Sequence, residues 1–126
     1  MGNYGRVAVT AVNLIHNNNL TPRNAWQQAL QQLHINDKPC PKTAFLGLAE
    51  AGMIRGVRSG HYLRQSNLPN KQRAIALRNI IFRSYPPRLP IGIKRTIWLR
   101  LTGNTLSNDQ GVIDVVYTLF RNNLLR

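Results

Sequence analysis

Acidic residues are scarce in this chain: four Asp and Glu stand against 17 Lys and Arg, a formal charge of +13. All four acids, Asp37, Glu50, Asp109 and Asp114, fall outside residues 51–108. That window holds 11 bases: Arg55, Arg58, Arg64, Lys71, Arg73, Arg78, Arg83, Arg88, Lys94, Arg95 and Arg100. A stretch with no carboxylate of its own repels itself, so an acidic or polyanionic partner is the expected counterpart. Nine of the 11 are arginine, whose planar fork suits phosphate and carboxylate better than an ammonium does. The competing explanation is a basic protein that is merely soluble.

Other absences narrow the field further. A single cysteine excludes an intramolecular disulfide and fits a reducing compartment. No run nears the roughly 18 apolar residues of a membrane span. Gly2-Asn3-Tyr4-Gly5 is polar rather than leader-like, so a cytoplasmic location without membrane contact is expected. Cys40 and the histidines His16, His34 and His61 lack paired-ligand spacing, so no metal is expected. The segment GVRSG (Gly56–Gly60) lacks the Gly-Lys-Ser/Thr ending of a phosphate-cradling loop. No cofactor is expected.

What is present reads as a mainly helical single domain over residues 1–126, with an apolar fraction of 43%, enough for a core. Tyr4, Val7, Ala8, Ala11, Leu14 and Ile15 recur at helical spacing, and Asn17-Asn18-Asn19 ends that helix. Thr21-Pro22 starts a second, with a hydroxyl cap before proline and a stripe of Ala25, Trp26, Ala29, Leu30 and Leu33. Pro41 opens a third through Ala44, Phe45, Leu48 and Ala51, with Gly52 as its left-handed terminator. Two short strands, Met53–Val57 and His61–Arg64, are expected to form a hairpin through Ser59-Gly60. Asn70 is the expected cap of a fourth helix carrying Ala74, Leu77, Ile80, Ile81 and Phe82. The prolines of Tyr85-Pro86-Pro87-Arg88-Leu89-Pro90 impose an extended segment. A fifth helix is expected over Ile93–Leu101. A sixth follows a Ser107/Gln110 capping box, with Val112, Val115, Val116, Leu119 and Phe120 on its apolar face.

Three helices followed by a hairpin is the order of a winged helix-turn-helix, and LAEAGMIRGVRSGHYLR resembles the passage from recognition helix into wing in small bacterial regulators. That likeness divides the chain into a winged-helix-like part, 1–66, and a C-terminal helical part, 67–126. It implies groove-facing Lys42 and Thr43 and a wing of Arg55, Arg58, Ser59, His61 and Arg64. Against base reading, the third helix offers only Lys42 and Thr43, and Glu50 would repel phosphate. A core helix is the better reading. A second likeness rests on Cys40-Pro41-Lys42, Ala44-Phe45-Leu46-Gly47-Leu48, Glu50, Gly52, Gly56, the Gly60–Tyr62 spacing and Asn70-Lys71. These are similar to a family of small bacterial proteins of unknown function, which implies shared architecture and no activity.

The leading functional expectation is a non-catalytic nucleic-acid-binding protein of low sequence specificity. Its expected contacts are Lys42, Arg55, Arg58, Arg64, Lys71, Arg73 and Arg78. Tyr62, Tyr85 and Trp98 lie in the basic window and offer stacking faces; Tyr62 joins the expected site, while Trp98 reads as core. The alternative is a protein-interaction module docking on an acidic surface or a larger nucleoprotein machine, a profile shared by phage or mobile-element inhibitors of host defence. A lesser alternative is an enzyme built on Cys40, at a helix start between Lys38 and Lys42, with His34 or His61 as base and Asp37 as orienter. No spacing matches a known signature of that kind. The C-terminal TLFRNNLLR either packs internally or offers Leu124 and Leu125 to a second copy in a homodimer.

Overall fold

The computed structural model describes residues 2–65, 68–90, 94–103 and 111–126. Six helices appear among them: α1 (Asn3–Asn18), α2 (Pro22–Leu33), α3 (Pro39–Glu50), α4 (Pro69–Phe82), α5 (Lys94–Leu101) and α6 (Val112–Arg121). The chain is therefore mainly helical, as the periodicity predicts. None of the described helices is long and apolar enough to cross a membrane. The expected cap positions of Ser107 and Gln110, and the start of the fifth helix at Ile93, lie outside the described residues.

Local signals account for most helix ends. Thr21 Oγ1 accepts from the Asn24 amide at 3.2 Å and Pro22 takes the first position of α2. Gly52 ends α3 at φ +75°, with the Gly52 amide donating to Ala49 O (3.1 Å) and the Met53 amide to Leu48 O (2.9 Å). This is the paired closure of a left-handed cap, which satisfies two carbonyls that the helix leaves open. The fourth helix differs from expectation. Leu68 is its cap residue, Pro69 leads it, and Asn70 lies inside, accepting from Arg73 Nη1 at 3.2 Å. Proline at the first turn outcompetes the asparagine cap because its φ is already helical.

Packing centres on α6, which lies against α1, α3 and α4. Val112, Ile113, Val115, Val116, Tyr117, Thr118 and Leu119 are all buried, so α6 is covered nearly all round rather than on the single face its apolar stripe suggested. One contiguous cluster of buried side chains draws on all six helices, with Trp26, Phe45 and Trp98 the largest members at its heart. Residues Ala44–Ala49 of α3 are buried without interruption. The helix is a core element over that stretch, with Lys42 and Thr43 half-buried near its start.

The hairpin and the winged-helix likeness are corrected by the structure. No strand forms among the described residues, and the segment between α3 and α4 is an irregular loop. Its one bridge joins Ile54 to Leu125, antiparallel, with the Arg55 amide donating to Leu124 O (2.7 Å) and the Arg126 amide to Met53 O (2.8 Å). The first expected strand thus pairs with the C-terminus. Gly52 and Gly56 both hold positive φ, at +75° and +74°, which breaks the extended run, and Val57 N donates to Ile54 O in a tight turn. The second expected strand pairs with a side chain, described below. The same bridge buries Leu125 and half-buries Leu124, so the C-terminal apolar pair packs internally.

Candidate functional site

The few carboxylates organise the molecule from within. Asp114 of α6 accepts from the Gly2 amide (3.1 Å), the Gly5 amide (2.6 Å) and Thr118 Oγ1 (3.2 Å). It thereby caps the start of α1, whose own cap residue, Gly2, has no side chain to do so. Asp37 accepts from Trp26 Nε1 (3.0 Å) and Gln27 Nε2 (3.3 Å) and pairs with Lys42 at 3.5 Å. It ties α2 to the start of α3. The candidate active-site orienter Asp37 is thus engaged by an indole, an amide and an ammonium, while His61 faces Glu50 at 3.9 Å. Cys40 is half-buried.

Glu50, the last residue of α3, does most for the loop. Its side chain is 6% exposed and pairs with Lys71 of α4 at 2.6 Å, itself 14% exposed. Its other oxygen, Oε2, accepts from the amides of Tyr62 (2.7 Å) and Leu63 (2.9 Å). These are the amides that a second strand would have donated across a hairpin. Burial pushes the Glu50 carboxyl up, but the Lys71 hydrogen bond, the Leu63 and Tyr62 amides and the Lys71 charge outweigh it and hold the group at about 2. Gly47, one helical turn earlier, makes room for this pair. A Cβ there would lie 2.5 Å from Lys71 Cγ and 3.1 Å from Lys71 Cα, so only glycine lets α3 and α4 approach this closely.

The loop is held at further points. Arg23 Nη2 donates to Tyr62 O at 2.9 Å, the Tyr62 hydroxyl donates to Arg58 O, and His16 Nε2 lies 3.0 Å from Arg55 O. Val57 and Leu63 anchor it in the core. Between these anchors Arg55, Arg58 and Arg64 are exposed, and no salt bridge joins them to a carboxylate among the described residues. A groove of about 830 Å³ separates the loop at Gly56–Arg58 from the α1–α2 turn at Asn19–Pro22, with Tyr62 in its wall. A recess of about 300 Å³ shares Tyr62 and is lined by Arg23, His61 and Arg64.

The remaining expected contacts fall elsewhere. Lys42 and Lys71 are ion-paired, as above. Arg73 lies over the buried Trp98 ring at 5.6 Å, so Trp98 is core with a cation on its face. Arg78 Nε donates to the backbone O of Arg126 at 3.0 Å, and its guanidinium sits 4.4 Å over Phe82. The structure thus brings Arg55, Arg58, Arg64 and Tyr62 together on one loop and gives Lys42, Lys71, Arg73 and Arg78 partners inside the protein. Sequence reasoning missed Arg23 and Glu50 as the residues that shape the loop. An acid at the edge of a base-only window is the available signal for Glu50.

Among the described residues no group of three His, Cys, Asp or Glu is placed to hold a metal ion. No curated protein and no solved structure matches the chain. A family comparison matches its whole length, residues 1–126, and by that coverage the chain belongs to the family of unknown function DUF6979.

Proposed function

We propose that this protein binds nucleic acid through backbone phosphates, with Arg55, Arg58 and Arg64 as the contacting groups. One observation carries the reading: three exposed arginines stand on a loop whose neighbouring carboxylate is buried and fully engaged. The charge on the loop is therefore left for an external anion. Glu50, Lys71 and Arg23 set the loop's shape, and Tyr62 fixes it through its carbonyl, amide and hydroxyl. Sequence selectivity is low in this reading, because the contacts are loop arginines meeting phosphates, which carry no sequence information.

The test is a binding titration with mixed-sequence oligonucleotides at several salt concentrations. Three phosphate contacts give a log–log salt slope of about −2 to −3, so affinity falls at least about tenfold between about 50 and 200 mM salt. Replacing Arg55, Arg58 and Arg64 together with alanine weakens binding by about 1–3 kcal/mol, the worth of charge-assisted hydrogen bonds. The thermal melt stays unchanged, since exposed unpaired charges add little stability. Salt-insensitive binding, or a triple variant that binds like the parent, overturns the reading.

A further inference from the structure

Resting on the nucleic-acid reading, we propose that the bound strand is single and that one of its unpaired bases stacks on Tyr85. Tyr85 is the one large apolar side chain left exposed among the described residues, with a relative accessibility of 101%. Its ring therefore has no packing role in the fold. Every other aromatic ring among the described residues is buried or packed against the core.

The setting of Tyr85 favours an anionic, planar ligand. Arg83 and Arg88 flank it and are exposed, and no salt bridge joins either to a carboxylate among the described residues. The loop is stiffened by Pro86, Pro87 and Pro90 and tied down where the Arg88 amide donates to Ile81 O at 3.3 Å. Leu89 packs against the core. A ring on so constrained a stalk loses little freedom on binding. The loop also connects to the first site: Pro87 and Arg55 line one cleft of about 290 Å³, together with Phe82 and Phe120. A strand whose phosphates meet Arg55 thus has a path toward Tyr85.

Two further observations select a single strand over a duplex. Bases in a duplex are already stacked on one another, so an exposed ring gains nothing from them without unpairing. The described residues also include no hairpin arm, and α3 is buried over Ala44–Ala49, so neither a wing nor that helix enters a duplex groove. Aromatic stacking with an arginine-lined backbone path is the physical pattern of single-strand binding. The spacing Pro87-Arg88-Leu89-Pro90 also matches a proline-rich peptide ligand for an aromatic groove. Here Pro87 is exposed but Leu89 and Pro90 are half-buried, so one of that spacing's two prolines is partly withdrawn into the protein's own fold.

The experiment uses the full chain and labelled probes of about 20 nucleotides: single-stranded DNA, single-stranded RNA and the matching DNA duplex. The single strands are expected to bind at least about tenfold more tightly than the duplex. Tyr85→Ala is expected to weaken single-strand binding by about 5–150-fold, the usual range for one stacked base, and to leave duplex binding unchanged. Tyr85→Trp should restore it. A 2-aminopurine base in the strand should be quenched by the parent and by Tyr85→Trp but not by Tyr85→Ala. Salt-sensitive binding with equal or better affinity for duplex, or an unaffected Tyr85→Ala protein, overturns this inference while the phosphate-binding reading stands. Absence of binding to all three probes overturns both. A protein captured by the parent, resistant to nuclease and lost in Tyr85→Ala, also overturns the inference and assigns the ring to a protein partner.

Discussion

Among the described residues two loops between helices present arginine to the outside, and they are built on different plans. Residues 52–65 are held by tertiary bonds: Glu50 takes the amides of Tyr62 and Leu63, Arg23 takes the Tyr62 carbonyl, and the C-terminus pairs with Ile54. Residues 83–90 are restricted covalently by three prolines, with backbone bonds from Arg83 to Asn79 and from Arg88 to Ile81 and with Leu89 against the core. The first shape depends on groups far away in the chain, so one distant substitution can release it. The second owes more of its shape to its own residues. A protein that must display positive charge without neutralising it has these two options: bury the organising acid, or use no acid at all.

Removing the organising acid tests the difference most severely. Glu50→Ala strands the largely buried Lys71 ammonium and two amides, so it should cost about 3–5 kcal/mol in chemical denaturation. It should also weaken oligonucleotide binding at the first loop while leaving a Tyr85-dependent component. A melt unchanged by Glu50→Ala would mean that the first loop is as self-sufficient as the second.

Acid does the same more gradually. The Glu50 carboxyl ionises at about 2 in the folded chain against an ordinary value of 4.5. Between those values the unfolded chain binds more protons, so the stabilisation is complete above 4.5 and drains away as pH falls toward 2. The amount at stake is on the order of 3 kcal/mol. Denaturation curves across that range should flatten in Glu50→Gln, and an identical slope in that variant would assign the loss to other groups.

Gly47→Ala is a milder probe of the same pair. The added methyl meets Lys71 Cγ at 2.5 Å and Cβ at 2.7 Å and forces α4 or the lysine away from Glu50. Overpacking of this kind costs about 1–3 kcal/mol, partly offset by about 1 kcal/mol of helix propensity. A small net destabilisation with an upward shift in the Glu50 titration is expected, read by the pH dependence of the melt. The smallest effect belongs to the second loop: Tyr85→Ala should leave stability within about 0.5 kcal/mol of the parent, because the ring packs on nothing. A larger loss would show that the ring supports the loop.

Much of the helical framework was legible in the residues. The Thr21-Pro22 start, the Gly52 terminator and the apolar stripes of α1, α2 and α4 each depend on neighbours within a turn or two, and each stands where local chemistry puts it. The candidate site was legible as charge and illegible as shape. Arg55, Arg58 and Arg64 stand out by composition, but a Gly-punctuated run of alternating residues fits a hairpin as readily as a loop. Tyr85 and Trp98 both lie among the bases; the proline run keeps one out of any helix, while helical spacing carries the other inward.

By itself the sequence determined an excess of unmatched positive charge, a mainly helical chain and the points at which most helices begin and end, because these follow from composition and short-range backbone preference. Only the tertiary structure decided that Ile54 pairs with Leu125, that Glu50 turns inward to Lys71 and two loop amides, and that the side chains of Lys42, Lys71, Arg73 and Arg78 find internal partners while those of Arg55, Arg58 and Arg64 meet no carboxylate among the described residues. The reason is physical. A buried carboxylate or amide is stable only where its hydrogen bonds are met. Which distant groups meet them is set by how the helices pack around α6, and no window of the chain contains that information.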